Sequence, residues 1–219
     1  LEASGQPSFP GVFGTDLWSW LAEHPDERAA FDRAMEQGKD RRIERLSALE
    51  WRGDETVVDV GGGNGANLVG LLERQPGLRG TVFDLPETIR DEEALGERIT
   101  FVEGDFFESV PPGDVYVLST ILHDWDDERA AAILRTIRAA APAGARLLLI
   151  EAVIQPGNEP DGAKWLDLLM LALFAGRERD ESQWRELLEG AGFEIERLAD
   201  GLIEARCRPT ASCHAPRTM

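Results

Sequence analysis

Lysine is nearly missing from this chain: of 23 basic residues only Lys39 and Lys164 are lysines. Positive charge is scarce altogether, because 41 acidic residues leave a formal net charge of -18. Such a surface repels a phosphate backbone rather than neutralising it, so nucleic acid is not an expected partner and solubility is the plain reading of the acidity. Long apolar runs are lacking too. None approaches the roughly 18 to 20 residues that a membrane span needs, and the first residues lack the basic and apolar regions of a secretory signal. No membrane partner and a cytoplasmic location are therefore expected. Cysteine is limited to Cys207 and Cys213, with His214 beside the second. Two thiols and one imidazole lack a fourth ligand for a structural metal, so neither a metal nor a disulfide is expected. Residues 209–219 read as a disordered tail, and His24, before Pro25, as a surface residue.

What is present is a 42% apolar chain of 219 residues, enough for one sizeable α/β domain with a helical appendage. Asp16 to Leu49 follows a helical pattern. Pro25 with Asp26 and Glu27 marks a helix start, and Gly38 marks a stop. Leu17, Trp18, Leu21, Phe31, Met35, Ile43 and Leu46 are expected on the buried faces. From Thr56 onward short apolar runs alternate with helical stretches, the signature of βαβ units and a parallel sheet. Strands are predicted at Thr56–Val60, Gly80–Phe83, Ile99–Val102, Asp114–Leu118 and Arg146–Ile150. Helices are predicted at Ala66–Glu73, Asp126–Ala141, Lys164–Phe174 and Glu181–Ala191, the last capped by Gly192. Phe193–Leu198 and Leu202–Arg206 fit a closing antiparallel pair. The whole is a doubly wound sheet.

In such a sheet a ligand sits at the carboxyl ends of the strands, where the distinctive residues fall. Gly61, Gly63 and Gly65 follow the first strand and allow a tight turn with close backbone approach. Asp84 ends the second strand as an acceptor placed for ribose hydroxyls. Asp105 follows the third, with Phe106 and Phe107 to pack on an adenine face. His123 follows the fourth and Glu151 ends the fifth. The glycine loop alone serves nicotinamide, flavin and methyl-donor enzymes alike, and Asp84 does not separate them. A histidine entering a helix beside the cleft has the pKa of a general base, and Glu151 and Glu178 are candidates for the carboxylate that orients it. Asp126, Asp127 and Glu128 read as acids at a helix N-terminus.

The motifs Val57-Val58-Asp59-Val60-Gly61-Gly62-Gly63-Asn64-Gly65, Phe83-Asp84-Leu85-Pro86, Gly104-Asp105-Phe106-Phe107, Leu122-His123-Asp124-Trp125 and Gly190-Ala191-Gly192-Phe193 carry a resemblance. From about Phe9 to Arg208 the chain resembles the plant-type and bacterial small-molecule O-methyltransferases. The resemblance implies an α/β, Rossmann-like, doubly wound and mostly parallel seven-stranded sheet of the class I methyltransferase type. Helices over 1–52 would precede a methyltransferase domain over 53–208. It implies S-adenosyl-L-methionine as cofactor, S-adenosyl-L-homocysteine as product, and no metal. Gly61, Gly63, Gly65, Asp84, Leu85, Asp105, Phe106, Ser119 and Trp125 would hold the cofactor. His123 would be the base between Glu151 and Glu178, and Phe31, Met35, Trp165 and Leu169 would line the pocket of an aromatic or polyketide-type acceptor. Such enzymes carry an N-terminal helical domain that makes an interlocked homodimer. This chain starts after it, so exposed apolar surface is expected on the helices before Leu49. Decarboxylation or hydroxylation on the same fold, and a non-catalytic cofactor-binding module, stay open as alternatives.

Overall fold

The computed structural model describes residues 7–35, 37–86, 88 and 96–208. Cys213, His214 and the tail from 209 lie outside the described residues. Four helices come first: α1 Ser8–Phe13, α2 Leu17–Glu23, α3 Pro25–Met35 and α4 Lys39–Ser47. Asp16 caps α2 by accepting from the Ser19 amide at 3.0 Å, and Pro25 opens α3 with Asp26 and Glu27 in its first turn. Gly38, at a left-handed φ of 77°, turns the chain into α4.

The core then alternates strand and helix. Its elements are β1 Thr56–Val60, α5 Ala66–Arg74, β2 Arg79–Asp84, β3 Ile99–Glu103, β4 Val115–Ser119, α6 Asp127–Ala140 and β5 Arg146–Ile150. After β5 come β6 Val153–Ile154, α7 Gly162–Leu173, β7 Arg179–Asp180, α8 Glu181–Gly190, β8 Phe193–Ala199 and β9 Leu202–Cys207. Seven strands make one sheet in the order β3-β2-β1-β4-β5-β9-β8. The pairs from β3 to β5 are parallel, and β9 runs antiparallel to both β5 and β8. The neighbours of β1 are β2 on one side and β4 on the other, so the strand order reverses there and opens a crevice at the carboxyl ends of β1 and β4.

Period-two alternation decides which layer each strand residue joins, because successive side chains leave opposite faces. Val57, Val115, Val117 and Leu148 join Leu46, Leu68, Leu71 and Leu72 on the face covered by α4 and α5. Val58, Tyr116, Leu118, Leu147 and Leu149 join Ile133, Leu134, Ile137, Trp184 and Leu188 on the face covered by α6 and α8. Side-chain caps set the helix starts: Asp126 accepts from the Arg129 amide at 2.8 Å, Asp161 from Ala163, and Asp180 forms a capping box with Gln183.

The strand and helix boundaries of the core fall within one or two residues of those read from the sequence. Two features differ. The β6–β7 pair, two residues a side, is too short to leave a periodic trace. In the N-terminal region Leu17, Leu21, Ile43 and Leu46 are buried as expected, but α3 buries none of its residues. Phe31 and Trp18 are only half-buried and Met35 is 47% exposed. Their spacing makes an apolar face that the described chain covers only in part: Trp18 meets Phe31, and Met35 stays open.

Removing buried methyl groups from the helix layer tests how much of the fold rests on α6. Leu134 is fully buried there, so Leu134→Ala is expected to lower the unfolding free energy by about 2–5 kcal/mol, read as an earlier midpoint in urea denaturation.

Candidate active site

The crevice is bordered by two turns. After β1, Gly61, Gly63 and Gly65 adopt left-handed φ values of 70°, 60° and 76°, a region that side chains with a Cβ rarely enter. Close approach adds a second reason. A Cβ on Gly61 would stand 2.5 Å from Ile121 Cδ1, so the glycine loop and the turn after β4 touch directly. Asp84 ends β2 and ties into the same loop: its Oδ2 accepts from the Gly63 amide at 2.8 Å, while Oδ1 accepts from the Leu85 amide at 2.7 Å. Burial pushes the Asp84 carboxyl up, and the hydrogen bonds from Gly63, Leu85 and Thr88 pull against that. Beneath the loop, burial and the charge of Asp84 push Asp59 up to about 7, with Arg42 opposing.

The residues expected on the adenine side are aromatic neighbours. Phe106, Phe107 and Trp125 meet edge to face, with Phe107 and Trp125 centroids 4.8 Å apart. The Arg129 guanidinium lies 4.4 Å from the Phe107 centroid and 4.6 Å from that of Trp125. Asp105 is exposed and its Oδ1 accepts from the Phe107 amide at 2.8 Å. A carboxylate has further lone pairs, so this loop bond leaves capacity for a ligand. Leu85 is 43% exposed. Ser119 ends β4 with its Oγ buried and without a hydrogen-bond partner. Such an orphan is rare in a settled core and fits a group that a ligand completes. The loop cradle, Asp84 and the Ser119 orphan together fit an adenosyl ligand that carries an amino-acid tail.

Beyond Ser119 the backbone is strained. Thr120 has φ of 56°, a conformation that β-branched residues avoid at a cost of about 1–3 kcal/mol. The short 3-10 turn Leu122–Asp124 follows and carries His123. His123 is 7% exposed. Its Nδ1 donates to Glu178 Oε1 at 2.7 Å, and Glu151 Oε2 lies 3.8 Å from the same nitrogen. With Nδ1–H committed to Glu178, Nε2 carries the lone pair available to a reacting proton. Glu151 also fixes the turn from below, its Oε1 accepting from the Ile121 and Leu122 amides at 3.1 and 2.8 Å. Both glutamates are buried, and one oxygen of each has no hydrogen-bond partner.

The β6–β7 pair brings these glutamates together. Glu151 precedes β6 by two residues, Glu178 precedes β7 by one, and Val153 pairs with Arg179. The segment that delivers Glu178 also grips the histidine turn: Ala175 takes φ of 61°, and the Arg177 amide donates to His123 O at 2.8 Å. A Cβ on Gly176 would stand 2.1 Å from that same oxygen. Gly176, Asp124 and Arg179 were not singled out from the sequence as site residues. A Gly-Arg-Glu-Arg run shows only charge until the fold shows what it packs against.

Phe31, Met35, Trp165 and Leu169 are not gathered into a closed pocket by the described residues. Phe31 meets Trp18 edge-on at 5.4 Å, and Trp18 reaches Phe174 beyond the end of α7. Met35, Trp165 and Leu169 are 47%, 73% and 49% exposed. The ligand atoms of His123, Glu151 and Glu178 also lie within 4.8 Å of one another, a spacing that invites a metal reading. The 2.7 Å hydrogen bond argues otherwise, because two ligands of one ion at about 2.0–2.2 Å in tetrahedral geometry stand farther apart than that.

Burial alone would lower the His123 pKa. The charge of Glu151 and the hydrogen bond to Glu178, with help from Asp124, raise it instead to about 9. Asp124, 3.4 Å from Nε2, is raised by burial to about 7 against the pull of His123. Each folded value exceeds the ordinary one, so the stability tied to it is full below the ordinary pKa and lost as pH rises through the folded one. For Asp59 and Asp124 that window runs from 3.8 to about 7, and for His123 from 6.5 to about 9. The urea midpoint of the ligand-free chain is thus expected to fall between pH 7 and 9, and His123→Gln to flatten that limb. An unchanged slope in the variant would assign the limb to other groups.

The chain matches the O-methyltransferase domain family over residues 1–194. It is 39% identical over 218 residues to the phenazine O-methyltransferase PhzM of Lysobacter antibioticus, covering 94% of this chain and 64% of that protein. It is 44% identical over 210 residues to an O-demethylpuromycin-O-methyltransferase of Streptomyces alboniger, covering 89% and 55%. Among solved structures, NcsB1 from neocarzinostatin biosynthesis, in complex with S-adenosyl-L-homocysteine and 1,4-dihydroxy-2-naphthoic acid, superposes with a TM-score of 0.82 at 36% identity, covering 94% and 65%. The chain thus spans between about half and two thirds of the length of these relatives. By the extent of the sequence match and the agreement of the fold, the chain belongs to the O-methyltransferase domain family.

Proposed function

We propose that this chain is the cofactor-binding and catalytic part, centred on residues 53–208, of an S-adenosyl-L-methionine-dependent O-methyltransferase that acts on a hydroxyl of an aromatic small molecule. The observation that carries the reading is His123, buried at the switch-point crevice, with one ring nitrogen committed to Glu178 at 2.7 Å and the other, 3.4 Å from Asp124, held by no hydrogen bond that short. A phenol with a pKa of about 10 is a poor nucleophile until a base takes its proton, and Nε2 is the atom suited to take it. Glu178 holds the tautomer, and Glu151 adds a second negative charge that stabilises the imidazolium once formed. Gly61, Gly63, Gly65, Asp84 and Ser119 would hold the cofactor's amino-acid and ribose ends, while Asp105, Phe106 and Trp125 frame its adenine and Leu85 flanks it. The cofactor supplies an activated methyl on a sulfonium, so positioning plus one base suffices for transfer. A cation held in the same crevice also lowers the pKa of the ring, which releases His123 to its neutral, proton-accepting form.

The acceptor surface would include Phe31, Met35, Trp165 and Leu169. Their exposure supports the idea that a further helical segment completes the pocket and joins two copies as a homodimer. Among the described residues no helix is long and apolar enough to cross a membrane, which is compatible with action in the cytoplasm. The relatives named for phenazine and puromycin methylation support an acceptor from antibiotic-type secondary metabolism.

Titration calorimetry with S-adenosyl-L-homocysteine and, side by side, with NAD tests the cofactor. Binding of the first alone is expected, and Asp84→Asn should weaken it about tenfold or more, since a charge-assisted pair of hydrogen bonds becomes neutral. His123→Ala is expected to keep that affinity and to lose about 100-fold or more of methyl transfer; wild-type turnover in the variant would overturn the base assignment. Prior dialysis against EDTA should leave transfer unchanged, and a loss restored by a divalent cation would turn the same trio into a metal site.

A further inference from the structure

Arg179 is fully buried, a state that an arginine tolerates only when its charge is paired and its donors are filled. Its Nε donates to Asp127 Oδ1 at 2.8 Å, one terminal nitrogen to Leu122 O at 3.0 Å and the other to Trp125 O at 2.9 Å. The guanidinium also lies 5.2 Å from the Trp184 ring centroid. Two of these acceptors are backbone carbonyls on either side of His123, and Asp127 opens the helix that the same turn enters. Arg179 is also the residue directly after Glu178, whose amide donates to Asp167 Oδ1 at 2.8 Å. One residue pair thus orders both partners of the His123–Glu178 hydrogen bond: Glu178 touches the ring, and Arg179 straps the turn that carries it.

We propose that Arg179 is a positioning residue whose buried guanidinium clamps the Leu122–Trp125 turn so that His123 keeps Glu178 as its partner. The role rests on the base assignment given to His123 above and concerns how that base is held. A plain core role would need only volume and charge. The clamp needs the planar fork, because three acceptors in three directions must be reached at once. Lysine presents a point charge and cannot span them.

The test reads the histidine ring itself. The chain has three histidines, His24, His123 and His214, so the His123 ring resonances are assignable by comparison with His123→Gln and can be followed against pH in the full chain. Glu151, Glu178 and Asp124 face the ring and hold its midpoint high. In Arg179→Lys the loosened turn is expected to weaken the Glu178 contact and to move the midpoint toward the ordinary histidine range, by about tenfold or more in proton concentration. Asp127→Asn removes the clamp's anionic anchor while its amide oxygen can still accept from Nε, so a smaller movement in the same direction is expected. Both variants should still bind S-adenosyl-L-homocysteine, weakened as far as the turn that carries Trp125 loosens, which reports an intact fold. An unmoved His123 midpoint in the two variants would overturn the clamp. Failure of the wild-type chain to bind S-adenosyl-L-homocysteine would count against the methyltransferase reading instead, while the ring titration would still decide the role of Arg179.

Discussion

The hydrogen bond from His123 Nδ1 to Glu178 Oε1 is the interaction around which this structure is organised. Two glutamates and an imidazole share a space from which water is largely excluded. Burying even one such charge costs several kcal/mol unless partners compensate it. Here the compensation is partial: the charge of Glu151 and the hydrogen bond to Glu178 raise the His123 pKa, while burial pushes the Glu151 carboxyl up against the pull of His123. The backbone amides of Ile121 and Leu122 carry part of the load on Glu151. Much of the surrounding architecture serves the geometry of this cluster. The β6–β7 pair sets the spacing of the glutamates, and Gly176 makes room for the His123 carbonyl.

The cluster is not isolated from the glycine loop. Because β1 and β4 are neighbours at the point where strand order reverses, the turns that follow them meet, and Ile121 fills the space above Gly61. The glycine loop and the turn that holds His123 therefore adjoin. The strain at Thr120 sits at that junction, where the surrounding sheet is rigid enough to hold an unfavourable backbone conformation. The glycine loop and His123 lie at two ends of one crevice, and the parallel sheet is what gives them a common wall.

Much of this was legible in the residue order. Strand periodicity, glycine spacing and helix-capping acids are local signals, and they placed the core elements to within a residue or two. Asp84, Asp105, His123 and Glu151 could be found because each sits at a strand end or just past one, where a parallel sheet gathers chemistry, whereas Ser119 came from the family resemblance. Glu178 was only one of two candidate carboxylates in the residue order, since it follows no long strand, and the family resemblance gave it its place beside the histidine. The apolar face of α3 shows the opposite error of local reasoning. Periodicity reveals that Phe31 and Met35 share a side, but burial depends on what lies opposite, and in the described chain Trp18 meets Phe31 while Met35 stays exposed.

By itself the sequence determined the alternation of strands and helices, the glycine loop with its ribose-side acid, and a histidine placed where a base belongs. These follow from nearest-neighbour physics: side-chain period, backbone freedom and capping. Only the tertiary structure decided which carboxylate holds the ring, that an arginine beside it grips the turn that carries it, and that neighbouring carboxylates raise the histidine's pKa against the effect of burial. Those outcomes depend on contacts between residues about 50 positions apart and on the exclusion of water, neither of which is encoded in any local stretch of chain.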